Sequence, residues 1–352
     1  MKVSIITTIY QAEKDLPRLL DSMMAQKSAE LEFFLIDNGS PDRCGEICQE
    51  YAKKDPRFKI YALKDNIGYI RARNLGIKLV DGDYIGFCDS DDFLEPNRYD
   101  RAVEKIKKVD CDFYLTSYRT ITNEKSELHL MPFKTGLYSE SRIQDMISPQ
   151  VFGFLPGRGF LHGFAWKQII RRSIIMENGF SFMEVLKPYE DQLFNADIIG
   201  KCDKVYVDDT VIYDYVINQE SITAQLYANF DPEAERDRIL LLYSEKDKRT
   251  RNKLEQTANC NQCFHAIYSS ILTMTKCQEM IGLTAKKIRE LYKHQKIRQI
   301  IVGSSVNLPV ELRFMKVCLQ THCYLLLVCC MKTMLRIRGK KEKLLSSNIK
   351  KW

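Results

Sequence analysis

The chain has 352 residues, 45% hydrophobic and 28% charged, an ordinary globular composition and enough length for one large domain or two medium ones with real cores. Its formal charge of +7 is confined to one end: from Lys332 to Trp352 there are eight Lys or Arg and one Glu, so everything before Lys332 sums to zero. That placement argues for a local anionic partner such as a membrane surface, and against a wholly basic nucleic-acid binder.

Val3 to Tyr10 is β-branched and apolar on both faces, as a central parallel strand is. It stops at Gln11 without the long apolar region or cleavage site of a secretory signal, so the chain is expected to stay in the cytosol. Twelve scattered Cys fit reduced thiols there. Leu16, Leu19, Leu20, Met23 and Met24 then repeat at helical spacing, with Pro17 in the first turn. Leu31 to Ile36 reads as a second buried strand, ending at the turn-forming run Asp37-Asn38-Gly39-Ser40-Pro41-Asp42.

A helix carrying Ile47 and Tyr51 follows, then a strand at Phe58 to Ala62, a helix at Ile70 to Val80 and a strand at Tyr84 to Cys88. Arg98 to Val109 is expected to be a helix and Asp112 to Tyr118 a fifth strand. Strands alternating with helices of this length predict a parallel α/β sheet, in which ligands bind outside the carboxyl ends of the strands. Tyr10, Asp37 and Asp89 all fall at such ends.

From Arg119 to Leu161 the pattern weakens, with Gly153, Gly157, Gly159 and Gly163 marking a flexible loop. Regular structure resumes over Trp166 to Met176. Pro188-Tyr189-Glu190-Asp191 precedes a helix, and two short strands are expected at Lys204 to Val207 and Val211 to Val216. Composition places a boundary near residue 228, with an all-helical region over 229–352. There Leu312, Met315, Leu319, Cys323, Leu326, Cys330, Met334 and Ile337 recur at three- and four-residue steps and predict one apolar stripe on a final helix. Only fifteen residues separate Lys316 from Lys332, fewer than the roughly 20 that span a bilayer, so the expectation is an interfacial helix beside a polybasic tail. The alternative is a helix packed on the protein itself. Cys260 and Cys263, with His265 nearby, have half of a zinc-site spacing without a second pair, and like Cys44 and Cys48 they are read as core thiols.

Asp89-Ser90-Asp91-Asp92 alone fits either a solvated loop or a cation site, because packed carboxylates repel one another. Its value comes from an ordered series: Asp37; Asn66-x-Gly68 with Ala72-Arg73-Asn74-x-Gly76; Asp89-Ser90-Asp91-Asp92 with Pro96; Trp166-Lys167 before Arg171-Arg172; Glu190-Asp191-x-x-Phe194; and Tyr213-x-Tyr215 with Ser221-Ile222.

Over about residues 1 to 225 this series resembles the family 2 glycosyltransferases, the inverting GT-A group that builds bacterial surface polysaccharides. The resemblance implies a Rossmann-like, mostly parallel sheet with helices on both faces, divided into a nucleotide-sugar half over 1–118 and an acceptor half over 119–228. It implies transfer of a hexosyl or N-acetylhexosaminyl group from a nucleotide sugar to a saccharide or lipid-linked saccharide; with the C-terminal apolar stripe and basic tail, the expectation is a peripheral protein on the cytoplasmic face of the plasma membrane.

By position, Thr8, Tyr10, Asp37, Gly68, Arg73, Asp89 and Ser90 match nucleotide-sugar contacts. Asp91 with Asp89 matches the site of a divalent cation, Mn²⁺ or Mg²⁺, on the diphosphate. Asp191 matches the general base, with Glu190 in support, and Trp166 and Lys167 fall on the acceptor side. A carboxylate at position 37 suits the imide N–H of uracil, which thymine shares and cytosine and adenine lack. Its alternative is a turn Asp held by the amides of Gly39 and Ser40. Asp92 is open between the site and a cap of the next segment, and Glu190 between orienting Asp191 and a helix N-terminal acid.

Arg71 and Arg73, two apart on one helix, point to different sides, one toward the diphosphate or the acidic loop and the other toward solvent; the resemblance implies that Arg73 is the former. Asn38, Gln11 and Thr8 depart from the residues common at their positions, Asp, Asn and Pro. Neither His129 nor His162 has a motif that makes it a metal ligand. Two rival readings remain. A nucleotidyltransferase favours an early Gly-rich basic loop, yet Ile9 to Asp15 holds no Gly; the other is an inactive scaffold of the same fold.

Overall fold

The computed structural model describes residues 1–122, 125–158, 161, 163–217, 231–277, 280–305 and 308–349, with side chains as far as residue 337. The chain forms two compact units, one of residues 1–151 with 160–221 and the other of residues 152–159 with 222–352. The boundary expected near residue 228 lies outside the described residues, as do Ser221, Ile222 and His162.

In the first unit β1 (Val3–Ile9), β2 (Leu31–Asp37), β3 (Phe58–Ala62) and β4 (Tyr84–Asp89) alternate with α1 (Leu16–Met24), α2 (Cys44–Lys54) and α3 (Tyr69–Leu79). These strands pair in parallel in the order β3-β2-β1-β4. Apolar residues on both faces of β1 explain its central place: Val3, Ile5, Ile6 and Ile9 are all buried. Cys44 and Cys48 lie in the same core, where burial pushes both thiols up to about 12.

A short β5 (Phe93–Leu94), α4 (Arg98–Val109), β6 (Phe113–Ile121), β7 (Ser126–His129) and β8 (Gly136–Ser139) follow. After a helical stretch over 140–152 come β9 (Gln168–Arg171), α5 (Arg172–Asn178), α6 (Glu190–Ile199) and β10 (Lys204–Val216).

The sheet is mixed where sequence periodicity predicts a parallel one. β9 inserts antiparallel between β4 and β6, while β6 and β10 return to parallel pairing. The two strands expected over 204–216 are one strand, whose register shifts near Asp208 and Val211 produce the apparent gap.

The second unit is helical: α7 (Pro232–Asp247), α8 (Lys253–Cys277), α9 (Ile281–Lys293), α10 (Gln295–Gly303), α11 (Val310–Gln320) and α12 (Tyr324–Ile349). Gly153, expected in a flexible loop, is held by close packing; a Cβ there falls 2.0 Å from the Ala258 carbonyl oxygen. Burial pushes the Cys260 and Cys263 thiols up to about 11 and about 12, so these are core thiols of α8.

The single apolar stripe is corrected. His322 has φ of +59° and the helix breaks between Gln320 and Tyr324, so the spacing changes phase. Leu312, Met315 and Leu319 are buried within the unit, and α12 turns Leu327, Val328 and Met331 inward in place of Leu326 and Ile337. The outward residues are Val310 (67% exposed), Val317 (57%), Leu325 (59%) and Leu326 (52%). No helix among the described residues is long and apolar enough to cross a membrane.

Candidate active site

The carboxyl ends of three neighbouring strands bring the first acids together. In the sheet register Ile9 pairs with Asp37 on one side, and Thr8 with Asp89 on the other. The end of β1 therefore lies between two carboxylates, and Tyr10, 41% exposed, follows it directly. Gln11 takes a positive φ of 51°, which explains why Asn, more tolerant of that conformation, is usual there. Its amide donates to Ser40 Oγ at 3.2 Å.

Asp37 is buried, and its Oδ1 accepts from the Ser40 amide at 2.9 Å. Gly39 is required next to it: φ is +70° and a Cβ falls 2.6 Å from the Asp65 carbonyl carbon. Asn38 Nδ2 donates to Asn66 Oδ1 at 3.0 Å, while its Oδ1 accepts from the Ile67 amide at 3.1 Å. An Asp carboxylate can only accept, so the departure from Asp has a local reason. Asn66 Oδ1 also takes the Gly68 amide at 2.8 Å, placing Gly68 at the start of α3.

The acidic run after β4 splits in two. Asp92 is fully buried; its Oδ2 accepts from the Tyr213 hydroxyl at 2.6 Å and its Oδ1 from the Val216 amide at 2.7 Å. Burial, with Asp89 and Asp91 adding to it, holds its carboxyl well above the usual range. Asp92 thus ties the loop to β10. The Tyr213 hydroxyl in turn accepts from the Asp89 amide at 2.9 Å.

Ser90 is half-buried between the two remaining acids. Burial and then the charge of Asp89 push Asp91 up to about 6. Two like charges this close favour a cation. Among the described residues no set of three His, Cys, Asp or Glu side chains forms a metal site. A hard cation held by one or two carboxylates together with substrate phosphates needs no such set.

α3 and α6 supply the other half of the site. Arg73 donates from Nη2 to Asp89 Oδ1 at 3.0 Å and from Nη1 to Asp191 Oδ1 at 2.9 Å. The guanidinium is buried, with its carbon 5.0, 5.6 and 5.7 Å from the ring centroids of Phe182, Tyr69 and Phe87. Asn74 fixes the Phe182 backbone in both directions, at 2.8 and 2.9 Å. Arg71, by contrast, points to an exposed pair with Glu184 at 2.7 Å.

Asp191 Oδ2 accepts from the Ala165 amide at 3.0 Å. Burial pushes Asp191 up to about 7; Arg73 opposes this, and Glu190 and Asp89 reinforce it. The preceding Glu190 is buried and accepts from the Tyr69 hydroxyl at 2.5 Å. Sequence reasoning passed over Tyr69, because nothing local marks a contact made 121 residues away.

Trp166 and Lys167, placed on the acceptor side by the resemblance, are both buried. Trp166 is 3% exposed and stacked between Phe164 and Tyr213, at centroid distances of 4.8 and 4.4 Å. Lys167 is 2% exposed, and burial pushes it down to about 7. An aromatic stack closes this part of the sheet, so both side chains belong to its interior. His129 stacks on Tyr118 at 4.5 Å and lies 2.9 Å from Thr120 Oγ1.

Residues 4–169 match the profile of Glycosyl transferase family 2. This stretch carries a family 2 glycosyltransferase domain. EpsJ of Bacillus subtilis (strain 168), an uncharacterized glycosyltransferase, is 29% identical over 226 residues, which cover 63% of this chain and 62% of EpsJ. In structure the chain is similar to S. aureus TarS 1-349 in complex with UDP-GlcNAc, with a TM-score of 0.72 at 18% identity, covering 96% of this chain and 92% of that one. It is similar also to the mannosyltransferase PcManGT from Pyrobaculum calidifontis in complex with GDP-Man and Mn²⁺, with a TM-score of 0.53 at 12% identity, over 94% and 86% of the two chains. These likenesses establish the GT-A fold expected from the motif series.

Proposed function

We propose that this chain is an inverting glycosyltransferase, moving a hexosyl or N-acetylhexosaminyl group from a UDP-sugar to a saccharide or lipid-linked saccharide in surface polysaccharide synthesis. The observation that carries the reading is the Arg73 bridge. One buried guanidinium holds Asp191, a carboxylate pushed up to about 7, beside Asp89 of the acidic loop. A base poised near neutrality and a diphosphate-binding acid are thereby fixed to each other.

Asp37 Oδ1 is engaged by Ser40, but a carboxylate accepts several hydrogen bonds, so the imide N–H of uracil has an acceptor at the end of β2. Thr8, Tyr10, Gly68 and Ser90 line up with Asp37 and Asp89 as nucleotide-sugar contacts. Asp91 and Asp89 are the residues that would hold a divalent cation, Mn²⁺ or Mg²⁺, which would neutralise the charge of the departing diphosphate. Asp191 takes the proton of the acceptor hydroxyl as its oxygen attacks the anomeric carbon. The bond to the UDP oxygen breaks on the opposite face, and the configuration inverts. Release of UDP from UDP-sugars in the presence of Mn²⁺ or Mg²⁺ tests this reading.

The protein acts peripherally at the cytoplasmic face of the membrane, through the C-terminal region. The contact is assigned to the exposed apolar residues Val310 and Val317 of α11 and Leu325 and Leu326 of α12, together with the basic segment from Lys332 to Trp352. Each Lys or Arg near anionic lipid contributes about 1 kcal/mol, weakened by salt. Deleting residues 332–352 is expected to release the protein from phosphatidylserine-containing liposomes at moderate salt in a flotation assay; equal binding with and without the segment defeats the assignment.

A further inference from the structure

Tyr69 and Arg73 are four residues apart on α3 and so share one face of the helix. Glu190 and Asp191 are consecutive in the first turn of α6. The two pairs meet point for point: the Tyr69 hydroxyl donates to Glu190 Oε1 at 2.5 Å, and Arg73 Nη1 to Asp191 Oδ1 at 2.9 Å. The ring of Tyr69 is itself fixed between cations, with the Lys187 ammonium 4.9 Å and the Arg73 guanidinium carbon 5.6 Å from its centroid. Burial and the neighbouring Glu190 hold the phenol well above its usual range, so it remains a donor at working pH.

Glu190 is 5% exposed, and its Oε2 is buried without a hydrogen-bond partner. Tyr69 is therefore the one protein group shown to orient this carboxylate among the described residues. A buried carboxylate that loses its donor swings toward water. That movement takes a negative charge away from beside Asp191.

We infer that Tyr69 is a positioning residue for sugar transfer: its hydroxyl clamps Glu190 against α3 and so keeps the Glu190 carboxylate beside Asp191, the next residue of α6. The inference rests on the reading of Asp191 as the general base. The charged and titratable groups facing Asp191 are Arg73 and Tyr69 from α3, Asp89 from β4 and Glu190 on its own helix, with the Ala165 amide completing the set. Of these, Tyr69 and Glu190 form the pair that makes none of the hydrogen bonds of the Arg73 bridge.

The test is Tyr69→Phe, which keeps the ring and its cation contacts and removes only the hydroxyl. UDP release from UDP-N-acetylglucosamine, UDP-glucose and UDP-galactose with Mn²⁺ is followed against pH for the wild type, Tyr69→Phe, Glu190→Gln and Asp191→Asn, with melting curves for each. In Tyr69→Phe, kcat is expected to fall about tenfold at unchanged donor KM, and the acid limb of the rate profile to move down by roughly half a unit to one unit. Glu190→Gln, which deletes the charge but keeps the shape, moves the limb at least as far.

A wild-type profile in Tyr69→Phe, alongside an inactive Asp191→Asn, overturns the inference and leaves the base assignment standing. A rate loss at every pH with the limb unmoved also overturns it, because that is the mark of a purely structural tyrosine. Full activity in Asp191→Asn, or no UDP release by the wild type, removes the underlying reading and the inference with it.

Discussion

Asp191→Asn is expected to slow transfer by about 10²–10⁴-fold, the range for loss of a positioned general base, while UDP binding is retained. The sign of the pH dependence follows from the same site. Asp191 accepts a proton only when ionised, and burial pushes it up to about 7. The wild-type rate should therefore rise with pH through about 7 and level off above it, with about a tenth of the plateau at pH 6. The variant should lose that limb. Donor turnover against pH, with calorimetric UDP binding, measures both effects. Unchanged turnover would remove Asp191 from the chemistry and favour the scaffold reading; lost turnover with lost UDP binding would mean that the substitution collapses the site.

Arg73→Met should produce the largest loss of stability. The guanidinium is 6% exposed and paired with Asp89 and Asp191. Burial of an ion pair is weak evidence of net stabilisation. Removing one partner is different, because it leaves buried charge uncompensated at about 3–5 kcal/mol. For a unit of this size that corresponds to a fall in Tm on the order of 10 °C. Transfer should be lost as well, since both acids are freed to move. Arg73→Lys should recover only part of the loss, because an ammonium cannot reproduce the fork that reaches two carboxylates in fixed directions. A thermal melt of Arg73→Met that overlays the wild type would show that the acids are held by something other than this bridge.

How far the molecule was legible in its sequence depended on the range of the forces involved. β3 and α4 coincide with the expected elements, residues 58–62 and 98–109, because periodicity and turn residues are local signals. Asp37 and Asp89 at strand ends follow from the same logic. β9 was not legible as an antiparallel insertion: it is four residues long and pairs with strands far away in the chain. The final apolar stripe failed for a related reason. Its spacing runs on unbroken past His322, where the backbone turns left-handed and resets which side chains face inward.

Within the site, the resemblance of the motif series pointed to Arg73, Asp89 and Asp191, but not to what each one touches. Asn38 shows the limit well. It stood out only as a departure from Asp, and its reason emerges with Asn66 and Ile67 placed beside it. Trp166 shows the opposite error, an aromatic in a motif whose ring serves the sheet interior. Tyr69 sits beside a motif glycine, and its partner lies on α6; only the folded chain joins them.

Cation-dependent use of a UDP-sugar at the clasp proposed for Asp89 and Asp91 is decided by UDP release from a panel of UDP-hexoses and UDP-N-acetylhexosamines, with Mn²⁺ or Mg²⁺ present and after chelation. Release is expected from at least one donor, to stop on chelation, to return with the metal and to be lost in Asp91→Asn. Release that continues at full rate without metal, or no release and no UDP binding across the panel, would contradict it.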